Sequence, residues 1–155
     1  MRTPVLYLDT SVLGGYFDEE WMQPTREFWR QMEDGLLRFV TSLLTADERV
    51  PAPSNVRDLF DTTFDPAGVL DLTDDMDRLA SAYVAHGVVS TRYENDAPHV
   101  AASTLARTDF LVSWNFRHMV NVQRETAFNG VNLLMGLPAI RIVNPLGIVY
   151  GNQNV

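Results

Sequence analysis

The chain contains no cysteine, which excludes disulfides and thiolate metal sites. It contains no lysine either, so its 12 cationic side chains are all arginines. No apolar run approaches the length that spans a bilayer, so no membrane role is expected. The start, Met1-Arg2-Thr3-Pro4, lacks the long apolar region and small-residue cleavage site of a signal peptide. A cytoplasmic protein is the expectation. Positive charge is scarce against 20 acidic residues, giving a net charge of -8. Such a surface is a poor generic binder of nucleic acid, because phosphate contacts need Lys and Arg. Part of the negative charge could be local, gathered to hold divalent cations. The plainer alternative is surface charge that keeps the protein soluble.

What is present suits one folded unit. The chain has 155 residues, 46% hydrophobic and 21% charged, enough for a single domain with a full core. We expect that domain over 1–149 and a loose tail over 150–155. Apolar runs at 5–8, 36–40, 69–72, 110–113 and 140–143 read as strands. Helical periodicity falls between them, at 10–17, 25–34, 73–86, 96–107 and 122–134, with shorter helical turns after Ser42 or Thr45 and after Ser54. A polar loop is expected over 90–95. Gly35 and Gly87 read as helix ends. Strands alternating with helices argue for an α/β three-layer sandwich with a central, mainly parallel sheet flanked by helices.

The first strand carries the strongest functional signal. Val5-Leu6-Tyr7-Leu8 ends abruptly in Asp9, Thr10 and Ser11. The C-terminal edge of a parallel sheet is where ligands bind, although any of these three residues could simply cap the next helix. Other acids or amides fall at similar places: Glu48 on the short helix after the second strand, Asp96 at a helix start, Asn115 after the fourth strand. Carboxylates with few histidines suit Mg²⁺ or Mn²⁺ better than Zn²⁺. Asp9 is followed by Thr10-Ser11, so the Asp-x-Asp motif of an aspartyl-nucleophile phosphatase is absent.

Four motifs in order, Leu8-Asp9-Thr10-Ser11-Val12, Thr45-Ala46-Asp47-Glu48, Asp96-Ala97-Pro98-His99-Val100-Ala101 and Leu111-Val112-Ser113-Trp114-Asn115, resemble those of the PIN-domain family, the ribonuclease fold used by VapC-type toxins of toxin–antitoxin systems. Their spacing spans almost the whole domain. The resemblance implies a PIN-like fold and metal-dependent endoribonuclease activity. It implies Asp9, Glu48 and Asp96 as ligands of Mg²⁺ or Mn²⁺. Asn115 stands where many members have a fourth acid, which implies a water or a weakly held second ion there. RNA as substrate, an antitoxin protein as partner and a homodimer follow from the same resemblance.

Each site residue has a second reading. Asp96 could cap its helix. Asp47 and Glu48 point about 100° apart on a helix, so only one faces a shared site; length and family position favour Glu48. His99, three residues after Asp96, could orient that carboxylate, touch a phosphate, or be a packed core histidine. His118 could line the same rim or lie on the surface. Thr10, Ser11 and Ser113 could bond metal-bound water or local backbone. Arg117 could bind phosphate or be an exposed helix residue. Asp109 precedes its strand and is expected at the opposite edge. Trp21, Phe28 and Trp29 read as core or as partner surface. The alternative to an enzyme is a catalytically weak PIN-like module that binds RNA or protein.

Overall fold

The computed structural model describes residues 2–90 and 95–148. Most of the expected polar loop (91–94) and the expected tail (150–155) lie outside the described residues. The elements run β1 (Val5–Leu8), α1 (Thr10–Gly15), α2 (Met22–Glu33), β2 (Arg38–Ser42), α3 (Leu43–Glu48), α4 (Ser54–Thr63), β3 (Val69–Leu70), α5 (Asp74–Ala85), α6 (Asp96–Leu105), β4 (Phe110–Val112), α7 (Val122–Leu134) and β5 (Ile142–Val143). The five strands form one sheet in the order β3-β2-β1-β4-β5, and every pairing is parallel.

Alternation along the strands builds the two outer layers. Tyr7, Val40, Leu111 and Ile142 face one side, where Leu79 and Tyr83 of α5, Val100 and Ala101 of α6, and Phe128 and Val131 of α7 cover them. Leu6, Leu8, Phe39 and Val112 face the other side and meet Val12 and Leu13 of α1, Phe28 and Trp29 of α2, and Val56 and Phe60 of α4. Phe28 and Phe128 are fully buried, each burial contributing on the order of 1.5–3 kcal/mol. The expected three-layer sandwich is therefore observed, with a sheet that is wholly parallel.

The strand order also locates a crevice. From β1 the chain moves out through β2 to β3, then returns to the other flank of β1 with β4. Adjacent strands whose connections leave on opposite faces create a switch point, and ligands bind outside the carboxyl ends of the strands there. In this fold that point lies between β1 and β4, beyond Leu8 and Val112.

Several local boundaries differ from the sequence reading. Helix α2 begins at Met22, not Thr25, because Pro24 sits in the first turn, whose N–H groups have no helical partner anyway. Strand β2 begins at Arg38, since the Leu36 N–H is spent on Gln31 O in closing α2, with Gly35 at φ 80° making the reversal. Ser54 lies inside α4; Pro53 is the cap, and its carbonyl accepts from Val56 and Arg57. Helix α1 ends at Gly15. Strands β3 and β5, at the sheet edges, pair for two residues each, and Ser113 falls just past β4. Thr73 caps α5 by accepting from Met76 N, as its position predicts.

Asp109 lies at the N-terminal edge of the sheet, opposite the crevice. Its Oδ2 accepts from Val5 N at 2.7 Å, and its two oxygens hold the Arg2 guanidinium. Those bonds keep its carboxyl below the ordinary carboxylate range, the Arg2 contact contributing most. Asp109→Ala is expected to cost about 1 kcal/mol, chiefly through the unmet Val5 N–H, since the exposed ion pair contributes little. Circular-dichroism melting should show a fall of about 2–4 °C for a domain of this size. An unchanged melting temperature would remove Asp109 from any role in anchoring β1.

Candidate functional site

Asp9 takes the backbone position of N-cap to α1, but its side chain makes no capping bond. The carboxylate is instead only 5% exposed and accepts from two hydroxyls, Ser11 Oγ and Ser113 Oγ, each at 2.6 Å. Those serines are fixed in turn: Ser11 Oγ accepts from Trp114 N and Ser113 Oγ from Asn115 N. The ends of β1 and β4 are thus tied together through one buried acid. Burial pushes the Asp9 carboxyl above its ordinary value; His99 in its charged form and the two serine hydroxyls oppose that shift without cancelling it.

Asp96 is the first residue of α6, with Asn95 as the cap, so its carboxylate is not a cap. Burial raises it first and the negative charge of Asp9 raises it further, against the nearby positive charge available from His118 and His99. Two acids that each resist ionisation, one in the other's field, make a place that favours a cation. The Asn115 amide donates to Asp96 Oδ2 at 3.4 Å, while its Oδ1 accepts from His118 N. Asn115 and His118 therefore both border Asp96.

Glu48 is the last residue of α3. Its Oε1 lies 2.7 Å from His99 Nε2, and the side chain remains 45% exposed. Partial burial would raise its carboxyl, but the hydrogen bond of His99, together with that ring's charge whenever it is protonated, outweighs burial and holds it low. Asp47 and Glu48 are both exposed; Glu48 is the one whose carboxylate is engaged by His99. A cleft of about 190 Å³, lined by Leu44, Asp47, Glu48, Asn95 and Pro98, opens beside it. His99 is 3% exposed and orients Glu48 rather than Asp96, because the ring lies between Glu48 and Tyr7. The Thr10 hydroxyl is buried without a hydrogen-bond partner of good geometry, close enough to Glu48 to favour its charged form. Arg117 is exposed, two residues beyond Asn115.

Among the described residues, no three or more His, Asp or Glu side chains are grouped so that they could hold one metal ion between them. The donor set fits a different arrangement. Mg²⁺ dehydrates reluctantly and is commonly bound through one or two carboxylates plus waters. Asp9 and Asp96, one in the other's field, have the hard oxygen chemistry for that role.

Two residues that sequence reasoning passed over belong to this site. Tyr7 and Ser42 lie behind His99, with Tyr7 OH 2.7 Å from each of Ser42 Oγ and His99 Nδ1. The signal was a phenol inside an apolar run, since a buried Tyr hydroxyl needs a partner. Trp21, expected as core or partner surface, stacks on Trp114 at 4.4 Å, while Phe28 and Trp29 are core. Among the described residues, no helix is long and apolar enough to cross a membrane.

No family model matches the chain, and no curated protein matches it by sequence. By structure it is similar to a chain of VapBC2 from Rickettsia felis, solved bound to a DNA fragment from their promoter, at TM-score 0.58 and 11% identity, over 90% of this chain and 98% of that one. It is likewise similar to a chain of FitAB, solved bound to an IR36 DNA fragment, at TM-score 0.55 and 11% identity, over 90% of this chain and 94% of that one. At that level of identity the likeness is one of fold: the chain has the three-layer α/β architecture, parallel sheet at the centre, of the chains in these two assemblies.

Proposed function

We propose that this protein is a metal-dependent endoribonuclease, acting as the toxin of a toxin–antitoxin pair. The observation that carries the reading is the pairing of Asp9 and Asp96, one in the other's field beyond the ends of β1 and β4, with the charge of Glu48 also felt at Asp96 and Asn115 bonded to it. Asp9 and Asp96 would hold a Mg²⁺ or Mn²⁺ ion, with Glu48 and Asn115 serving its water shell. Such an ion, when bound, polarises a water and offsets the charge that builds up on the phosphoryl oxygens. Ser11 and Ser113 hold the Asp9 carboxylate in place. His99 holds Glu48. Arg117, exposed beside Asn115, is placed to meet a phosphate of the RNA. The likeness to VapBC2 and FitAB, with the VapC-type motifs, supports an antitoxin partner, and a homodimer belongs to the same reading.

The test is cleavage of a mixed RNA pool by the purified chain. Cleavage is expected with Mn²⁺ or Mg²⁺, and none in excess EDTA. Equal cleavage with and without EDTA would end the metal-dependent reading. One observation favours a second reading, an RNA- or protein-binding module: the amide of Asn115 donates to Asp96 where an acid would add charge. RNA retention on the protein with no cleavage at any Mn²⁺ concentration would favour that module over the enzyme.

A further inference from the structure

We propose that Ser42, Tyr7 and His99 form a one-way hydrogen-bond chain that fixes the carboxylate of Glu48 for a cation, with His99 as its positioning residue. The inference rests on the nuclease reading in one respect, that Glu48 serves a divalent ion.

The geometry is continuous. Ser42 Oγ, Tyr7 OH, His99 and Glu48 Oε1 are linked by three contacts of 2.7 Å each. Tyr7 is fully buried and His99 nearly so, and their rings meet edge to face at 5.7 Å. Water cannot readily substitute for the two links behind the ring, Ser42 to Tyr7 and Tyr7 to His99, which are buried.

Counting protons gives the chain its direction. Ionised Glu48 only accepts, so Nε2 of His99 carries a hydrogen. Tyr7 has one hydroxyl proton and two neighbours. Donating it to Nδ1 leaves a neutral imidazole in a single tautomer, and Ser42 then donates to the phenol oxygen. Every proton is used once and no link is left empty. The reverse direction would need hydrogens on both ring nitrogens, burying a charge that the forward direction avoids.

The chain also closes on a single short helix. Ser42 is the N-cap of α3, its Oγ accepting from Leu44 N, and Glu48 is the last residue of the same helix. Six residues do not hold a helix in isolation. Here the residue before the first turn and the residue ending the last are joined through Tyr7 of β1 and His99 of α6, so the Glu48 side chain is held from outside α3 as well as by it. With Oε1 held, Oε2 is the oxygen left to a cation or its water. Residues that orient a ligand in this way typically change metal affinity by about 10–100-fold when removed.

The experiment uses the full chain, with Mn²⁺ binding by calorimetry and the His99 ring followed by ¹⁵N NMR. In the wild type, the ring should show one neutral tautomer with hydrogen on Nε2. His99→Ala should weaken Mn²⁺ binding by about 10–100-fold. His99→Gln should recover most of that loss, since its amide can accept from Tyr7 and donate to Glu48. Tyr7→Phe should mix the tautomers and weaken binding by a smaller factor; should His99→Ala fail to fold, this variant and the wild-type tautomer carry the test. Wild-type affinity in both His99→Ala and Tyr7→Phe, with Asp9→Asn abolishing binding, would overturn the chain and spare the nuclease reading. Hydrogen found on Nδ1 alone would also overturn it. No Mn²⁺ uptake by the wild type would remove the nuclease reading and, with it, the role given to Glu48.

Discussion

Asp9→Asn should slow RNA cleavage by at least about a hundredfold, the loss of several kcal/mol of transition-state stabilisation, and should at the same time raise the melting temperature in EDTA. The two effects have one cause. Asp9 is a buried carboxylate whose ionised form is disfavoured by desolvation, and it lies in the field of Asp96. Amide for carboxylate is nearly isosteric, so packing is kept. The cost is one reorganised hydrogen bond, because Ser11 and Ser113 both donate to Asp9 and only one can go on donating to the amide oxygen; this is about 1 kcal/mol. The uncompensated buried charge costs more than that, several kcal/mol in the fully desolvated limit. A net gain of about 1–2 kcal/mol corresponds to roughly 2–8 °C for a chain of this size.

The pH dependence carries the same sign. A carboxyl whose folded value is raised contributes stability in full below its unfolded value and loses it as pH rises through the folded one. Without a cation, the wild type should therefore gain stability on acidification from neutral pH toward the ordinary carboxylate range, through the raised values of Asp9 and Asp96. Asp109 and Glu48, both held low, reverse the trend only below that range. Asp9→Asn should flatten the acid-side rise. Melting curves in EDTA from neutral to mildly acidic pH decide the matter: a variant less stable than wild type at neutral pH contradicts the buried-charge account, and one that cleaves at the wild-type rate removes Asp9 from the chemistry.

The same residues show how far the sequence could be read. The layers were legible because they rest on periodicity: Leu6, Tyr7 and Leu8 must alternate between faces, and Met76, Leu79, Ala80 and Tyr83 mark the buried side of α5. Asp109 was legible as a residue of the far edge because it precedes its strand. The strand ends were less so, since the start of β2 depends on where α2 finishes its hydrogen bonds, a matter settled at Leu36 and Gln31. The partner of His99 was not legible. Three-residue spacing put it beside Asp96, whereas the fold sets its ring against Glu48, 51 positions away. Spacing along one helix says nothing of what the next element presents to it. Tyr7 was hidden for the opposite reason, its apolar ring fitting a core strand so well that the hydroxyl drew no notice.

Adjacent glycines should respond to alanine with opposite signs. An added Cβ at Gly14 meets nothing within 4 Å, and Ala is the better helix former, so Gly14→Ala should stabilise by about 0.5–1 kcal/mol. At Gly15 the same methyl would lie 2.6 Å from both Cδ1 and Nε1 of Trp114 and 3.1 Å from Thr25 Oγ1. The propensity gain is the same, so space alone decides the difference. Trp114 cannot readily yield: its ring stacks on Trp21, its Nε1 donates to Thr25 Oγ1, and its backbone N donates to the serine that holds Asp9. Overpacking of this kind costs about 1–3 kcal/mol, more than the propensity returns. Gly15→Ala should therefore melt several degrees below wild type, at about 2–4 °C per kcal/mol, and should also cleave RNA more slowly, because moving Trp114 drags Ser11 with it. Thermal melts of the two single variants, measured beside each other, make the comparison. If both rise, the indole is not clamped, and the path from α1 through Trp114 to the Asp9 carboxylate does not exist as drawn.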